Sequence, residues 1–336
     1  MRGPVACVAA VTYRCNGRCT MCDIWKRPPE AERELAPADY AWLPASLRSV
    51  NVSGGEPFLR DDLPDVVRVM RESCRRARIV VSTNGLEPDR IARMAAAMKG
   101  IAVRVSVDAV GPTHDAVRGV DGAFERAVET VRRLSAAGVR DLGIAATSTE
   151  RTTGQLTAVE RLASELGVAF IASVAHSSPI YFGNQDESRP SSDGVVEEIS
   201  SLVRRQLRSK RPADWAKAYY ARGLIEYVRR RPRMLPCGAG EDHFFLDPYG
   251  DVYPCNVQGT RMGNVREGSF AELAARSRDL VRERVAGCRE QCWMVCTVSP
   301  PMRRHPLRPV AWIAAAKLFG RDAAGGPWGA GGRQGS

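Results

Sequence analysis

Cys15-Asn16-Gly17-Arg18-Cys19-Thr20-Met21-Cys22, directly preceded by the apolar run 5–11, is the stretch on which the reading of this 336-residue chain turns. Its three cysteines stand as C-x3-C-x2-C, and soft thiolates in a group point to zinc or to an iron–sulfur cluster. A structural zinc site closes four ligands, usually from paired C-x2-C units. Here there are three thiolates and no neighbouring histidine. Three thiolates on a four-iron cluster leave one iron without a protein ligand, and an open coordination position is where a bound metal does chemistry.

Around this stretch the pattern is that of an α/β chain. Apolar strand candidates occupy 5–11, 50–53, 79–82, 101–107, 142–146 and 168–174, and amphipathic stretches lie at 62–77, 87–98, 122–138 and 155–166, several ending near glycine. Six strand–helix alternations imply a parallel sheet with helices packed outside, whose chemistry sits at the carboxyl ends of the strands. The motifs follow those ends. Gly54-Gly55-Glu56-Pro57 comes after the second strand, Thr83-Asn84-Gly85 after the third, Asp108 after the fourth and Thr147 after the fifth.

The cysteine octapeptide resembles the signature of the radical S-adenosylmethionine (radical SAM) superfamily. The resemblance covers about residues 3–180 and implies a partial (β/α)6 barrel. It also implies a [4Fe–4S] cluster on Cys15, Cys19 and Cys22, whose open iron chelates the methionine end of SAM and cleaves it to a 5′-deoxyadenosyl radical. Ser53 to Pro57 resembles the family's "GGE" motif, which places Gly54, Gly55, Glu56 and Pro57 at the SAM amino group. Close backbone approach needs glycine, and a carboxylate suits an ammonium. By the same resemblance Asn84, Ser106, Asp108 and Arg118 are expected as further SAM contacts.

A second cysteine group lies near the carboxyl end. Cys237, then twelve residues, Gly250, four residues and Cys255 resembles the opening of the SPASM and twitch domains, which carry auxiliary [4Fe–4S] clusters. Strand-like 243–246 and 252–253 flank the turn Pro248-Tyr249-Gly250-Asp251 and read as a hairpin. Cys288, Cys292 and Cys296 recur at i, i+4 and i+8, a spacing that a helix or successive turns would present on one side. Four of these five cysteines are expected to hold one auxiliary cluster, leaving one of the last three to spare. Cys7 and Cys74 stand alone and are expected to be small buried apolar residues.

The expected division is a core at 1–190, a basic helical linker at 191–232, a small cysteine-rich α+β domain at 233–300, and a basic amphipathic segment with a Gly-rich tail at 301–336. The net charge of +11 is concentrated: 204–233 carries eleven Lys/Arg against Asp214 and Glu226, and 303–333 carries six against Asp322, which leaves the remainder at −3. Solvated helix faces explain such runs, and peripheral contact with an anionic membrane is the sharper expectation. No zinc-finger or RNP-like pattern points to nucleic acid. No apolar run approaches the ~20 residues of a membrane span, so a cytoplasmic enzyme is expected.

The expected activity is hydrogen abstraction from an unactivated carbon, with oxidation of a sugar, aminocyclitol or similar small molecule preferred. Absence of a peptide-recognition domain ahead of Cys15 weighs in that preference against peptide modification. A radical epimerase using the spare cysteine as hydrogen donor, a peptide-modifying enzyme, and a metal scaffold for an anionic partner are the alternatives. The expected reductant is a flavodoxin or ferredoxin. His176, Tyr181 and Asn184, with Ser177 and Phe182 beside them, follow the sixth strand and are the expected substrate contacts.

Overall fold

The computed structural model describes residues 3–28, 30–183 and 189–319. Six parallel strands appear where the apolar runs predict them: β1 (Ala6–Thr12), β2 (Ser49–Gly54), β3 (Arg78–Thr83), β4 (Ala102–Ser106), β5 (Asp141–Ser148) and β6 (Ala169–Val174). Between them run α1 (Leu63–Ser73), α2 (Pro88–Ala97), α3 (Pro112–Arg118), α4 (Ala123–Ala136) and α5 (Leu156–Glu165). Each strand pairs in parallel with the next in sequence, so β1 to β6 form an open, partial barrel.

One face of this sheet is apolar. Val50, Val52, Ile79, Val81, Val103, Val105, Leu142 and Ile144 are buried with helix residues such as Val66, Val67, Ile91 and Val131. Many of the alternate residues on the concave face are small or polar and partly exposed (Asn51, Ser53, Ser82, Ser106, Ala145, Thr147 and Ser173), with Val80, Arg104 and Ile171 standing among them on the same face. Period-2 alternation thus separates a helix-covered core from an open trough. At the amino ends of the strands, Asp141 is clasped by Arg78 and Arg104, each at 2.7 Å. The two guanidiniums hold its carboxyl at about 2, below the usual range.

The second half docks onto the first. Helices α6 (Asp193–Arg208) and α7 (Pro212–Val228) form the expected pair broken near Pro212. Then β7 (His243–Leu246) pairs in parallel with β1, and β8 (Asp251–Tyr253) and β9 (Gly263–Asn264) continue antiparallel. One nine-stranded sheet results, ordered β6-β5-β4-β3-β2-β1-β7-β8-β9. The cysteine hairpin is therefore an extension of the barrel sheet. The closing helices are α8 (Phe270–Ala286), α9 (Val295–Arg304) and α10 (Leu307–Phe319).

Trp293 is the keystone between the halves. It is fully buried, its indole N–H donates to the Tyr220 carbonyl at 2.8 Å, and its ring lies 1.9 Å from where a Cβ on Gly223 would stand. Helix α7 must carry glycine there. Helix α10 packs Trp312 edge-on to Tyr219 and leaves Leu307, Val310, Leu318 and Phe319 exposed. Among the described residues no helix is long and apolar enough to cross a membrane.

Candidate active site and cysteine centres

The loop of Cys15, Cys19 and Cys22 leaves the carboxyl end of β1 and is fastened on every side. Arg18 N–H donates to the Arg118 carbonyl and Thr20 N–H to that of Val117, both at 2.9 Å, which ties the loop to the end of α3. Gly55 N–H donates to the Thr12 carbonyl and Glu56 N–H to that of Arg14, both at 2.8 Å. A Cβ on Gly54 or Gly55 would lie 2.1 Å from the Thr12 or Arg14 carbonyl oxygen, so the paired glycines are what let the two loops touch.

A Cβ built on Gly17 would contact Cys15 Sγ at 3.8 Å and Cys19 Sγ at 3.7 Å, so these sulfurs flank one spot. Burial pushes the Cys15 thiol up to about 12 and the Cys22 thiol to about 11, and the three thiols repel one another as anions. A cation or cluster among them would offset that cost. Among the described residues no three His, Cys, Asp or Glu side chains converge tightly enough for a single metal ion.

The expected SAM contacts are brought together here, in differing settings. Glu56 is buried; Oε1 accepts from Phe58 N–H at 3.2 Å and Thr83 Oγ1 at 2.9 Å, and Oε2 accepts from Asn84 N–H at 2.6 Å. Burial pushes its carboxyl up to about 7. Asn84 donates from Nδ2 to Asn16 Oδ1 at 2.8 Å, and Asn16 in turn donates to Glu87 at 3.0 Å. Pro57 is buried at the start of a short 3-10 turn, and Ser106 is partly exposed on the trough.

Asp108 takes a supporting position. Its Oδ1 accepts from Thr147 N–H at 2.9 Å, and its Oδ2 pairs with Arg118 Nη2 at 2.7 Å. Arg118 Nη1 lies 3.6 Å from Cys19 Sγ. Burial alone would push this guanidinium down, but the Asp108 and Cys19 charges raise it above its ordinary value.

Of the expected substrate residues, His176 is instead an internal fastener, whereas Tyr181 reaches the trough floor. His176 is buried, stacks on Tyr227 at 4.1 Å, shares Nδ1 with the Val174 carbonyl at 2.6 Å, and accepts Trp293 N–H on Nε2 at 3.1 Å. Burial holds its ring neutral, down to about 3. Tyr181 is buried against Phe182 and Phe245, with its hydroxyl on Ser53 Oγ. Asn184 lies outside the described residues.

At the second group, Cys255 Sγ accepts from Val257 N–H at 3.4 Å and Gln258 N–H at 3.2 Å. Cys237, Cys255, Cys288 and Cys292 act on one another electrostatically, and Cys292 acts in the same way on Cys296. Of the two expected arrangements, a helix or successive turns, one continuous helix is excluded. Helix α9 begins at Val295, so Cys288 and Cys292 sit on the preceding loop and Cys296 in the first turn. Trp293 is inserted into the core, and its anchoring keeps that loop from continuing as helix. Cys7 and Cys74 are buried, as expected. Cys296 packs in the same layer as Cys15, Cys22, Tyr13 and Tyr181, between the two groups, and also touches the layer around Cys255 and Cys292.

A cavity of about 590 Å³ beside the first loop, lined by Tyr13, Arg27, Asp247, Tyr249 and Tyr253, has no local signal in the sequence. Burial pushes the Asp247 carboxyl up to about 6. In sequence Asp247 falls between the strand-like run 243–246 and the turn 248–251 and is not singled out.

Residues 10–153 match the family profile described as the Radical SAM superfamily, and 237–297 match an iron–sulfur cluster-binding domain, SPASM. Among curated proteins, the chain is 27% identical to the pre-heme d1 synthase of Dinoroseobacter shibae, over 78% of this chain and 71% of that protein. It is 30% identical to the mycofactocin maturase MftC of Mycobacterium ulcerans, over 75% and 68%. It is 27% identical to the PqqA peptide cyclase of Xanthomonas axonopodis pv. citri, over 93% and 91%. Among solved structures, Streptococcus suis SuiB bound to its precursor peptide SuiA shares the fold, with a TM-score of 0.60 and 16% identity over 82% of this chain and 65% of that one.

Proposed function

The chain belongs to the radical SAM superfamily and carries an auxiliary-cluster domain, and on that premise we propose that it modifies a peptide. This replaces the preference for sugar or aminocyclitol oxidation: similarity runs to a maturase and a peptide cyclase. The observation that carries the reading is the trough. At the carboxyl ends of its strands the floor consists of Ser, Ala and Thr side chains that offer hydrogen-bonding groups without bulk, a surface on which an extended backbone can lie, with Val80, Arg104 and Ile171 farther towards the amino ends.

When bound, the cluster and SAM supply a 5′-deoxyadenosyl radical that takes a hydrogen atom from an unactivated carbon, a low-potential one-electron donor such as a flavodoxin or ferredoxin providing the electron. Cys15, Cys19 and Cys22 are assigned to that cluster. Arg118 donates to the Cys19 sulfur, and Asp108 holds Arg118 in place. Gly54, Gly55 and Glu56 set the loop beside the cysteines, and Asn84 pins it through Asn16. Cys237, Cys255, Cys288 and Cys292 are assigned to the auxiliary cluster, with Cys296 as the spare thiol between the centres. Cys255 is prepared for ligation by two backbone N–H groups, a known means of stabilising a cluster thiolate.

The test is deuterium transfer. Reconstituted enzyme is incubated without oxygen with SAM, reductant and perdeuterated peptides encoded by neighbouring genes. Deuterium in 5′-deoxyadenosine is the expected result. Transfer from a deuterated tetrapyrrole with none from any peptide would overturn the peptide reading.

A further inference from the structure

Arg233 lies just ahead of the second cysteine group, and its guanidinium is spent on that group. Nη1 donates to the Cys292 carbonyl and lies 3.4 Å from Cys292 Sγ; Nη2 donates to the Thr297 carbonyl and Nε to that of Leu235, both at 3.3 Å. The guanidinium carbon stands 5.6 Å over the Trp293 ring. Among the described residues it makes no ion pair with a carboxylate; its polar partners are carbonyls and the thiol. Two buried histidines, His176 and His243, feel its charge and are held neutral by burial with that charge adding to the effect. Among the described residues no carboxylate is paired with this cation, and at Cys288 its charge acts against that of Glu290.

We propose that Arg233 is a positioning residue that sets the redox poise of the second centre: hydrogen-bonded to Cys292 Sγ and paired with no carboxylate among the described residues, its guanidinium raises the potential at which a cluster on Cys237, Cys255, Cys288 and Cys292 accepts an electron. The physical reason is general. Reduction adds one negative charge to an already anionic cluster, so a fixed cation beside a ligand sulfur stabilises the reduced form more than the oxidised one. The partly buried site weakens solvent screening, and the hydrogen bond withdraws charge from the sulfur.

The inference rests on the assignment of an auxiliary cluster to these cysteines, and the experiment separates the two. In reconstituted Cys15→Ala/Cys19→Ala/Cys22→Ala protein only the second centre is left. Four irons per chain support the assignment, and none would end it. On that background, Arg233→Gln is compared with Arg233→Lys by EPR-monitored redox titration. At fixed potential Arg233→Gln is expected to lower the reduced-to-oxidised ratio about tenfold, which is about 59 mV for one electron, with Arg233→Lys restoring most of it. An unchanged potential in Arg233→Gln with four irons present overturns the proposal. Should Arg233→Gln lose its iron, pulsed EPR on the unsubstituted arginine, labelled with nitrogen-15, decides. A nitrogen-15 coupling to the reduced cluster supports the hydrogen bond, and its absence overturns it.

Discussion

Each cysteine group carries a partly or largely buried arginine against a sulfur, yet the two are balanced in opposite ways. Arg118, at Cys19, is locked to Asp108, whose side chain is completely enclosed. Arg233, at Cys292, is held by three carbonyls and a ring face. The first is a neutral pair and a matter of position: it fixes the end of α3 and β4 against the cysteine loop. The second brings net positive charge. The same donor chemistry thus orients one centre and tunes the other, and the difference lies in a carboxylate at one site and its absence at the other.

The comparison breaks most visibly in stability. Arg118→Ala strands Asp108 as a buried charge and is expected to cost about 3–5 kcal/mol. Arg233→Ala strands no charge and forfeits hydrogen bonds to neutral carbonyls, each about 1 kcal/mol net. With three such carbonyls the second loss is about 3 kcal/mol, so the two are told apart by a second substitution. Adding Asp108→Asn should recover part of the Arg118→Ala loss in denaturant unfolding of the apoprotein, because it removes the stranded charge, and no recovery would show that Arg118 and Asp108 do not form the neutral pair described.

Between the two groups, Asp247 offers a pH handle. Burial raises its carboxyl from 3.8 to about 6, so the unfolded chain releases this proton first. Folded protein then holds a proton that the unfolded chain has lost, and stability falls as pH rises from about 4 to about 6, by at most about 3 kcal/mol. Glu56, raised by burial from 4.5 to about 7, adds a fall of the same sign over the higher part of that range. Asp247→Asn should therefore reduce the slope in thermal melts of the apoprotein most strongly near pH 4 to 5, and an unchanged slope there would place the titrating group elsewhere.

The smallest expected effect concerns the periphery. Helix α10 exposes Leu307, Val310, Leu318 and Phe319 near Arg303 and Arg308. Weak association with anionic vesicles at low salt, fading with added salt, is the expected outcome in a flotation assay. Binding unchanged by Leu318→Ser/Phe319→Ser would remove α10 from that role.

Most of the barrel was legible because its outer face is strictly apolar, so β1 to β6 and their helices announce themselves by period. The cysteine motifs were legible because ligand spacing is local. What escaped depends on distant pairing. Nothing near Ala6 indicates that His243 will lie beside it, so the second group reads as a separate domain although it extends the same sheet. His176 at a strand end looks alike whether it meets substrate or holds Trp293 N–H. The i, i+4, i+8 cysteines mimic a helix face, because spacing carries no information about the burial of Trp293 that delays α9.

The most direct test of two separate centres is iron and 5′-deoxyadenosine measured together in reconstituted variants. Unsubstituted protein should hold about eight irons. Cys15→Ala/Cys19→Ala/Cys22→Ala should hold about half and form no 5′-deoxyadenosine; Cys292→Ala should lose the other half, and Cys296→Ala should lose none. Stoichiometric zinc with only four irons, or SAM cleavage surviving in the triple variant, would contradict the account.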